Sequence, residues 1–133
     1  MTNSTQSPTT VTDIAVAMFA IADQDAAIAF YTEKLGFEVR ADSRFGPDNS
    51  YRWVEVAPPG STARLALNPP MEGSPGGGAI GVETKDVQAE HKRIKGIDGL
   101  DVDEQIMQPG GDAPSMFAVR DPDGNQVWVV QAA

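Results

Sequence analysis

Apolar positions alternate, or recur at helical spacing, through most of the chain. They predict the same order of strands and helices in each half of the sequence. Residues 11–22 are mostly small and apolar and end at Asp23, which predicts a strand followed by a helix cap. Residues 24–35 carry an apolar stripe at helical spacing, and Gly36 is typical of the residue after a helix end. The stripe consists of Ala27, Phe30, Tyr31 and Leu35.

The rest of the first half predicts three strands. A strand begins at residues 37–40, and residues 41–50 are rich in Asp, Ser, Gly, Pro and Asn, which predicts a loop. Residues 51–57 alternate, residues 58–60 form a turn, and residues 64–68 form a short strand. The first half is therefore predicted as strand, helix and three strands.

The second half repeats this order after a segment rich in proline and glycine. The sequence PPMEGSPGGG at residues 69–78 holds three prolines and four glycines, which predicts a flexible linker. Asp86 is a second cap, followed by a helix to residue 95 and a strand near residues 100–102. A loop over residues 105–114 and strands over residues 79–84, 116–120 and 126–131 complete the pattern, with a turn at residues 121–124.

A faint internal repeat supports this duplication. DQDAAIAFYTEKLGFEV, residues 23–39, returns as DVQAEHKRIKGIDGLDV, residues 86–102, at a constant offset of 63 residues (86 − 23). We predict an α+β fold of two βαβββ modules in one domain, residues 12–131. It is divided into a module at 12–69, a linker at 70–78 and a module at 79–131, after a flexible segment at 1–11.

Composition narrows the functional classes. The net charge of −9 opposes binding to phosphate backbones, so nucleic acid is not an expected partner. The chain has no cysteine, which excludes thiol chemistry and suits a reducing compartment. It has no long apolar run and no secretory pattern at its start, so we expect a cytoplasmic protein without a membrane partner.

Three features resemble one known family. They are AIAFYTEKLGFEV after Asp23, the offset repeat through Asp86, and the closing VRDPDGNQVWVV at residues 119–130. Together they resemble the vicinal oxygen chelate superfamily, also called the glyoxalase, bleomycin resistance and extradiol dioxygenase superfamily. The resemblance implies two βαβββ modules whose curved sheets form an open barrel around a pocket. It also implies a homodimer, in which a second subunit often completes the pocket.

Metal-dependent members of that superfamily place His, Gln or Glu at four sheet positions facing the pocket. By the resemblance these positions fall on Val16, Ala66, Ala79 and Trp128. None of these side chains offers a lone pair to a divalent ion. We therefore expect no metal and no cofactor.

Strand alternation predicts which side chains line the pocket. Valines and other apolar residues such as Val54 and Val127 should face the helices, so the alternate positions face the other way. The predicted pocket residues are Val16, Met18, Tyr51, Trp53, Glu55, Ala66, Asn68, Ala79, Gly81, Glu83, Met116 and Trp128. Two tryptophans with methionines suit an aromatic small molecule, and the net charge of −9 favours a cationic one.

The leading hypothesis is a metal-free protein that binds a small organic molecule, similar to bleomycin-resistance-type proteins that confer antibiotic resistance by sequestration. One alternative is a lyase, isomerase or dioxygenase of the glyoxalase kind, which the apolar ligand positions oppose. Another is a metal-free enzyme with Glu55 or Glu83 as a base. No catalytic residue is assigned, and His91, on the second helix, is interpreted as structural.

Overall fold

The structure is a computed structural model that describes residues 8–133. Residues 1–7 of the predicted flexible segment lie outside the described part, and residues 8–15 form no helix or strand. The first module contains β1 (Val16–Ala20), α1 (Gln24–Ala29), a π-helical turn (Phe30–Lys34), β2 (Glu38–Phe45), a short 3-10 turn (Pro47–Asn49), β3 (Tyr51–Ala57) and β4 (Arg64–Asn68). The second contains β5 (Ala79–Thr84), α2 (Val87–Lys95), β6 (Asp101–Val102), β7 (Met116–Arg120) and β8 (Gln126–Gln131).

Each module builds one four-stranded sheet with the same topology. The strand orders are β1-β4-β3-β2 and β5-β8-β7-β6. In each sheet the first and last strands of the module pair in parallel, and the other pairs are antiparallel. The predicted fold, α+β with two βαβββ modules, is confirmed, and the two sheets remain open rather than closing into a barrel.

Both helices begin at the predicted aspartates. Asp23 Oδ1 accepts a hydrogen bond from Ala26 N at 3.1 Å, and Asp86 Oδ1 accepts one from Ala89 N at 3.0 Å. These bonds satisfy backbone donors that a helix start otherwise leaves unpaired. The caps therefore set where each helix leaves its strand.

The first helix is not α-helical to residue 35 as predicted. It widens into a π turn after Ala29, and Leu35 N donates to Phe30 O at 3.3 Å, five residues back. The wider turn buries both Phe30 and Tyr31 against the sheets. Gly36 then ends the helical segment with φ +77°, a conformation that glycine adopts without strain.

Two predicted boundaries are wrong. Residues 41–45 are not a loop, because β2 continues to Phe45 and pairs with β3 up to Tyr51. Their polar composition suits an outer strand of which most side chains are exposed. β1 starts at Val16 rather than residue 11, since its partner β4 begins at Arg64, directly opposite Val16.

The two modules share one core. The helix-facing side of both sheets packs into a single cluster that includes residues of both helices. The burial of this cluster stabilises both modules together, since residues of each contribute to it. The buried members are Phe19, Ile21, Ala27, Phe30, Tyr31, Val54, Val56, Leu65, Leu67, Val87, Ile94, Phe117, Val119, Val127 and Val129.

The segment between the modules contains no helix or strand but is bonded at its end. Gly76 N donates to Ala20 O at 2.9 Å, and Gly78 N donates to Asn125 Oδ1 at 2.9 Å. A side chain at Gly78 would meet the Phe19 ring 2.6 Å from its Cβ, so glycine is required there for packing. The predicted domain boundaries stay a prediction. No helix in the described residues 8–133 is long and apolar enough to cross a membrane.

Candidate ligand-binding faces

Each sheet has a second face, turned away from the shared core. On β3, Val54 and Val56 are fully buried against the core, so Trp53 and Glu55 belong to the opposite side. The register between neighbouring strands shows which residues of the other strands point to this same side of each sheet. We call it the first open face (Val16, Met18, Tyr51, Trp53, Glu55, Arg64, Ala66) and the second open face (Ala79, Gly81, Glu83, Met116, Ala118, Gln126, Trp128).

Glu55 forms the polar centre of the first open face. Its side chain carries a carboxylate, yet the residue is only 7% exposed. Trp53 Nε1 donates to Glu55 Oε2 at 2.8 Å, and Arg64 Nη1 lies 3.4 Å from Oε1. Ala66 stands directly opposite Glu55 in the register and is fully buried. The indole and the guanidinium therefore compensate a charge that would otherwise be costly to bury.

Trp128 forms the centre of the second open face. Its register partners are Gly81 on β5 and Ala118 on β7, and Ala118 is fully buried. Glycine and alanine occupy little space beside the indole, so the ring has room to lie across the sheet. Trp128 is partly exposed. It thus presents an aromatic surface to the open side.

The four positions that the resemblance assigns to a metal do not fit one. Val16 lies opposite Arg64 and Ala79 opposite Gln126, while Ala66 lies opposite Glu55. The carboxylate opposite Ala66, that of Glu55, is already bound to Trp53 and Arg64. Within residues 8–133, no three side chains of the types His, Cys, Asp and Glu come together as metal ligands could. The donor chemistry of these faces is unsuited to a divalent ion.

The other predicted pocket residues differ in how exposed their side chains are and therefore in how easily a ligand could contact them. Met18 is 69% exposed and Tyr51 58% exposed, and the Tyr51 ring packs on Phe45 with centroids 5.4 Å apart. Met116 is partly buried beside Met107, while Ala79, Gly81 and Glu83 lie on an exposed edge strand. That one ligand contacts these side chains together stays a prediction.

Asn68 is engaged in the frame of the sheet. Its Oδ1 accepts hydrogen bonds from Gln24 Nε2 at 3.0 Å and from Val54 N at 3.1 Å. Gln24 Nε2 also donates to two backbone carbonyls, those of Arg52 and Leu67. The Asn68 amide oxygen therefore joins the start of α1 to β3 and is not free for a ligand.

His91 serves as an anchor between α2 and the segment after β6. Its Nε2 donates to Asp103 O at 2.8 Å, and its ring meets Phe117 edge-on with centroids 4.8 Å apart. Burial alone would raise the pKa of Asp103, but hydrogen bonds from Arg120 and Ala118 N hold that pKa below its usual range. His91 thus touches neither open face.

A buried polar network joins the modules, and the sequence analysis missed it. Asp121 Oδ2 accepts from Tyr31 OH at 2.9 Å and from Asn125 Nδ2 at 3.0 Å, and Oδ1 accepts from the backbone N of Asp123 and Asn125. Burial, and then the charge of Asp121, raise the pKa of Tyr31 well above its usual range. The signal in the sequence was the DPDGN turn, which we interpreted as a turn alone.

The sequence analysis also missed a cleft of about 860 Å³ between the modules. Of the predicted pocket residues, only Gly81 and Glu83 line it. Its other walls come from β1, the turn after β3, the start of β4, and β5. Alternation within single strands did not indicate it, because the cleft depends on how two edge strands face each other.

Comparison with known proteins places this fold in a family. The family model described as Glyoxalase/Bleomycin resistance protein/Dioxygenase superfamily matches residues 13–129. The uncharacterised protein YetH of Bacillus subtilis (strain 168) is 36% identical over 110 residues, which cover 79% of this chain and 86% of YetH.

Solved structures give the same answer. A member of the glyoxalase/bleomycin resistance protein/dioxygenase superfamily from Sphaerobacter thermophilus DSM 20745 is 31% identical, with a TM-score of 0.80 and coverage of 92% of this chain and 98% of its own. TnmS3, an antibiotic binding protein from Streptomyces sp. CB03234, is 27% identical, with a TM-score of 0.78 and coverage of 95% and 100%. This chain therefore belongs to the glyoxalase/bleomycin resistance protein/dioxygenase superfamily.

Proposed function

We propose that this protein binds a small, largely aromatic organic molecule on its open faces, without a metal, and acts by sequestration. The observation that carries this proposal is Trp128. It replaces a metal ligand by an aromatic surface, between the small residues Gly81 and Ala118. A stacked indole contributes about 1 to 3 kcal/mol to the binding of a flat guest. The similarity to TnmS3, an antibiotic binding protein, supports the binding of a small molecule.

The chemistry of the first open face favours binding over catalysis. A general base needs a free carboxylate oxygen within reach of a substrate proton. Glu55 instead accepts from Trp53 and pairs with Arg64, with little of the residue exposed to solvent. Glu83 lies on an exposed edge strand without a buried environment. A metal-dependent lyase or dioxygenase is opposed by the absence of lone-pair donors at Val16, Ala66, Ala79 and Trp128.

We further propose that the protein is a cytoplasmic homodimer in which a second copy covers the open faces. Support comes from exposed large apolar side chains beside these faces, which water solvates poorly. A specific dimer should bury more than about 1,000 Å² in total. The net charge of −9 argues against a nucleic-acid partner. The exposed apolar side chains on or beside the first open face are Met18, Phe45 and Tyr51.

Fluorescence titration tests the binding proposal. The neutral probe 9-anthracenemethanol and bleomycin should each be titrated against the intact protein while tryptophan emission is followed. We expect at least one to bind, and Trp128→Ala to weaken its binding by about 1 to 3 kcal/mol, while Trp128→Phe retains most of it because a ring remains. A chelator should leave the affinity unchanged.

Two results would contradict the proposal. One is unchanged affinity of a bound probe in Trp128→Ala, which would separate binding from the open faces. The other is a stoichiometric divalent metal in the purified protein together with chelator-sensitive stability. The mass in solution, measured by sedimentation, tests the dimer separately, with 14.1 kDa as the monomer value.

A further inference from the structure

The cleft between the modules has an apolar interior. Strands β1 and β5 are edge strands of their sheets, and both contribute to its lining. A smaller cavity of about 200 Å³ shares part of this lining and reaches the shared core at Ile94 and Val127. The apolar side chains that line the cleft include Ile14, Ala17, Phe37, Leu65, Ile80 and Val82.

The size of the cleft suits a small ligand. Its volume of about 860 Å³ falls within the roughly 300 to 1,000 Å³ of typical ligand pockets. Such pockets combine an apolar lining with a few polar groups that orient the ligand.

Two cationic side chains line the cleft, Arg64 from β4 and Lys85 after β5. Within residues 8–133, the Arg64 side chain forms no hydrogen bond and has only the 3.4 Å ion pair with Glu55, and it is 42% exposed. Lys85 is exposed and forms no ion pair in the same part of the chain. By contrast, Arg52 and Arg120 are each hydrogen-bonded to two carboxylates.

Glu55 positions the Arg64 guanidinium without occupying most of its hydrogen-bond donors. The buried Glu55 carboxylate, itself bound by Trp53, attracts one edge of the guanidinium and limits its motion. A guanidinium has five N–H donors in a planar fork that matches a carboxylate. Most of these donors remain free. Glu83 also lines the cleft, and its negative charge offsets part of the positive charge of Arg64 and Lys85. Recognition of a carboxylate therefore depends on the directed hydrogen bonds of Arg64 more than on the net charge of the cleft.

We propose that this cleft is a second binding site, and that it takes a flat aromatic carboxylate. The ring lies among the apolar side chains, and the carboxylate accepts hydrogen bonds from Arg64, with Lys85 as a second cation. The site goes beyond the proposed function because neither Trp53 nor Trp128 lines it, although Arg64, Gly81 and Glu83 belong both to the cleft and to the open faces.

Three probes with one ring system test the ligand class: anthracene-9-carboxylate, 9-anthracenemethanol and 9-(aminomethyl)anthracene. They differ in charge and share the apolar part. Titration of the full chain, followed by probe anisotropy, should give at least ten-fold tighter binding of the carboxylate than of the other two. Arg64→Gln should remove this preference.

Arg44→Gln is the matched control. It removes the same charge from β2, outside the cleft lining, and should keep the preference for the carboxylate. Equal affinities for the three probes, no binding of the carboxylate, or equal losses in the two arginine variants would each overturn the proposal. Equal losses would indicate a long-range field rather than a site.

A second pair of variants locates the carboxylate. Val82→Phe fills the cleft and should weaken carboxylate binding at least ten-fold, whereas Trp128→Ala should leave it unchanged. Unchanged carboxylate affinity in Val82→Phe would place the carboxylate on an open face: the second if Trp128→Ala weakens binding, and the first, through Arg64, if it does not. Either outcome overturns the cleft site and leaves the proposed function in place. A Val82→Phe variant that changes the mass in solution but not the affinity would show an interface between copies instead, which also overturns the site. Circular dichroism checks that each variant is folded.

Discussion

The two open faces have the same backbone topology and opposite distributions of large and small side chains. On the first, Ala66 occupies the central strand and Glu55 lies beside it, fully compensated by neighbours. On the second, Trp128 occupies the corresponding central strand and Ala118 lies beside it. Duplication thus conserves which strands pair, while the chemistry of each face depends on which of two adjacent positions carries the large side chain.

The turns that precede the last strand of each module likewise share a backbone hydrogen bond but differ in what their side chains contact. Both close with a hydrogen bond between residues three apart, Ser61 N to Pro58 O and Gly124 N to Asp121 O, each at 3.0 Å. Within residues 8–133, only the second turn forms hydrogen bonds to the other module, among them those of Asp121 and Asn125. The first turn instead contributes Pro58 to the wall of the cleft. One turn fastens the modules and the other leaves space between them.

The largest expected effect comes from giving the second face the carboxylate of the first. Ala118→Glu places a charge at a fully buried site, where the position corresponding to Arg64 holds Gln126. An unpaired buried charge together with overpacking should lower the free energy of unfolding by about 4 kcal/mol or more, measured by urea denaturation. The reciprocal Glu55→Ala should cost about 1 kcal/mol, since Arg64 and Trp53 can be solvated. Equal costs would contradict the asymmetry between the faces.

Asn125→Ala tests the fastening turn. The substitution leaves Gly78 N and Ala20 O without their side-chain partner and removes one donor to Asp121. We expect a loss of about 3 kcal/mol in the free energy of unfolding, again from urea denaturation. Ser61→Ala is the matched control in the other turn, where the hydroxyl donates to Ala63 O at an exposed site, and it should change stability by less than about 0.5 kcal/mol.

Tyr31→Phe should have the smallest effect of the three, about 2 kcal/mol at neutral pH, because Asp121 keeps three other donors. Its pH dependence gives a sharper test. Burial and the charge of Asp121 raise the pKa of Tyr31 in the folded protein, so the folded state retains a proton that the unfolded chain loses above about pH 10.

The stability that depends on this proton is present below about pH 10 and is lost as the pH rises above it. The wild-type protein should therefore lose stability more steeply than Tyr31→Phe above that pH. Ile94 occupies the corresponding helix position in the second module, 63 residues later, and has no group to titrate. Parallel pH profiles for wild type and Tyr31→Phe would contradict the role of this network.

Most of the strand and helix pattern could be predicted from the sequence because it depends on local spacing. The strands Tyr51–Ala57, Arg64–Asn68, Met116–Arg120 and Gln126–Gln131 were predicted with their observed bounds. The extension of β2 to Phe45 could not be, because its polar residues are stabilised by pairing with β3 and not by an apolar face. The π turn after Ala29 likewise depends on burying two adjacent aromatic residues in a shared core.

The sequence by itself determined the duplicated frame, the helix caps at Asp23 and Asp86, and the apolar residues at positions where a metal ligand was expected. Period, capping chemistry and lone pairs are properties of single residues and near neighbours. Tertiary structure alone decided that Glu55 is compensated by Trp53 and Arg64, that Asp121 binds Tyr31 from the other module, and that two edge strands leave a cleft. The Asp121–Tyr31 bond and the cleft join groups that are far apart in the chain. The contacts of Glu55 join nearer residues, but packing sets the spacing across their strands and turns. No local sequence pattern therefore predicts any of the three.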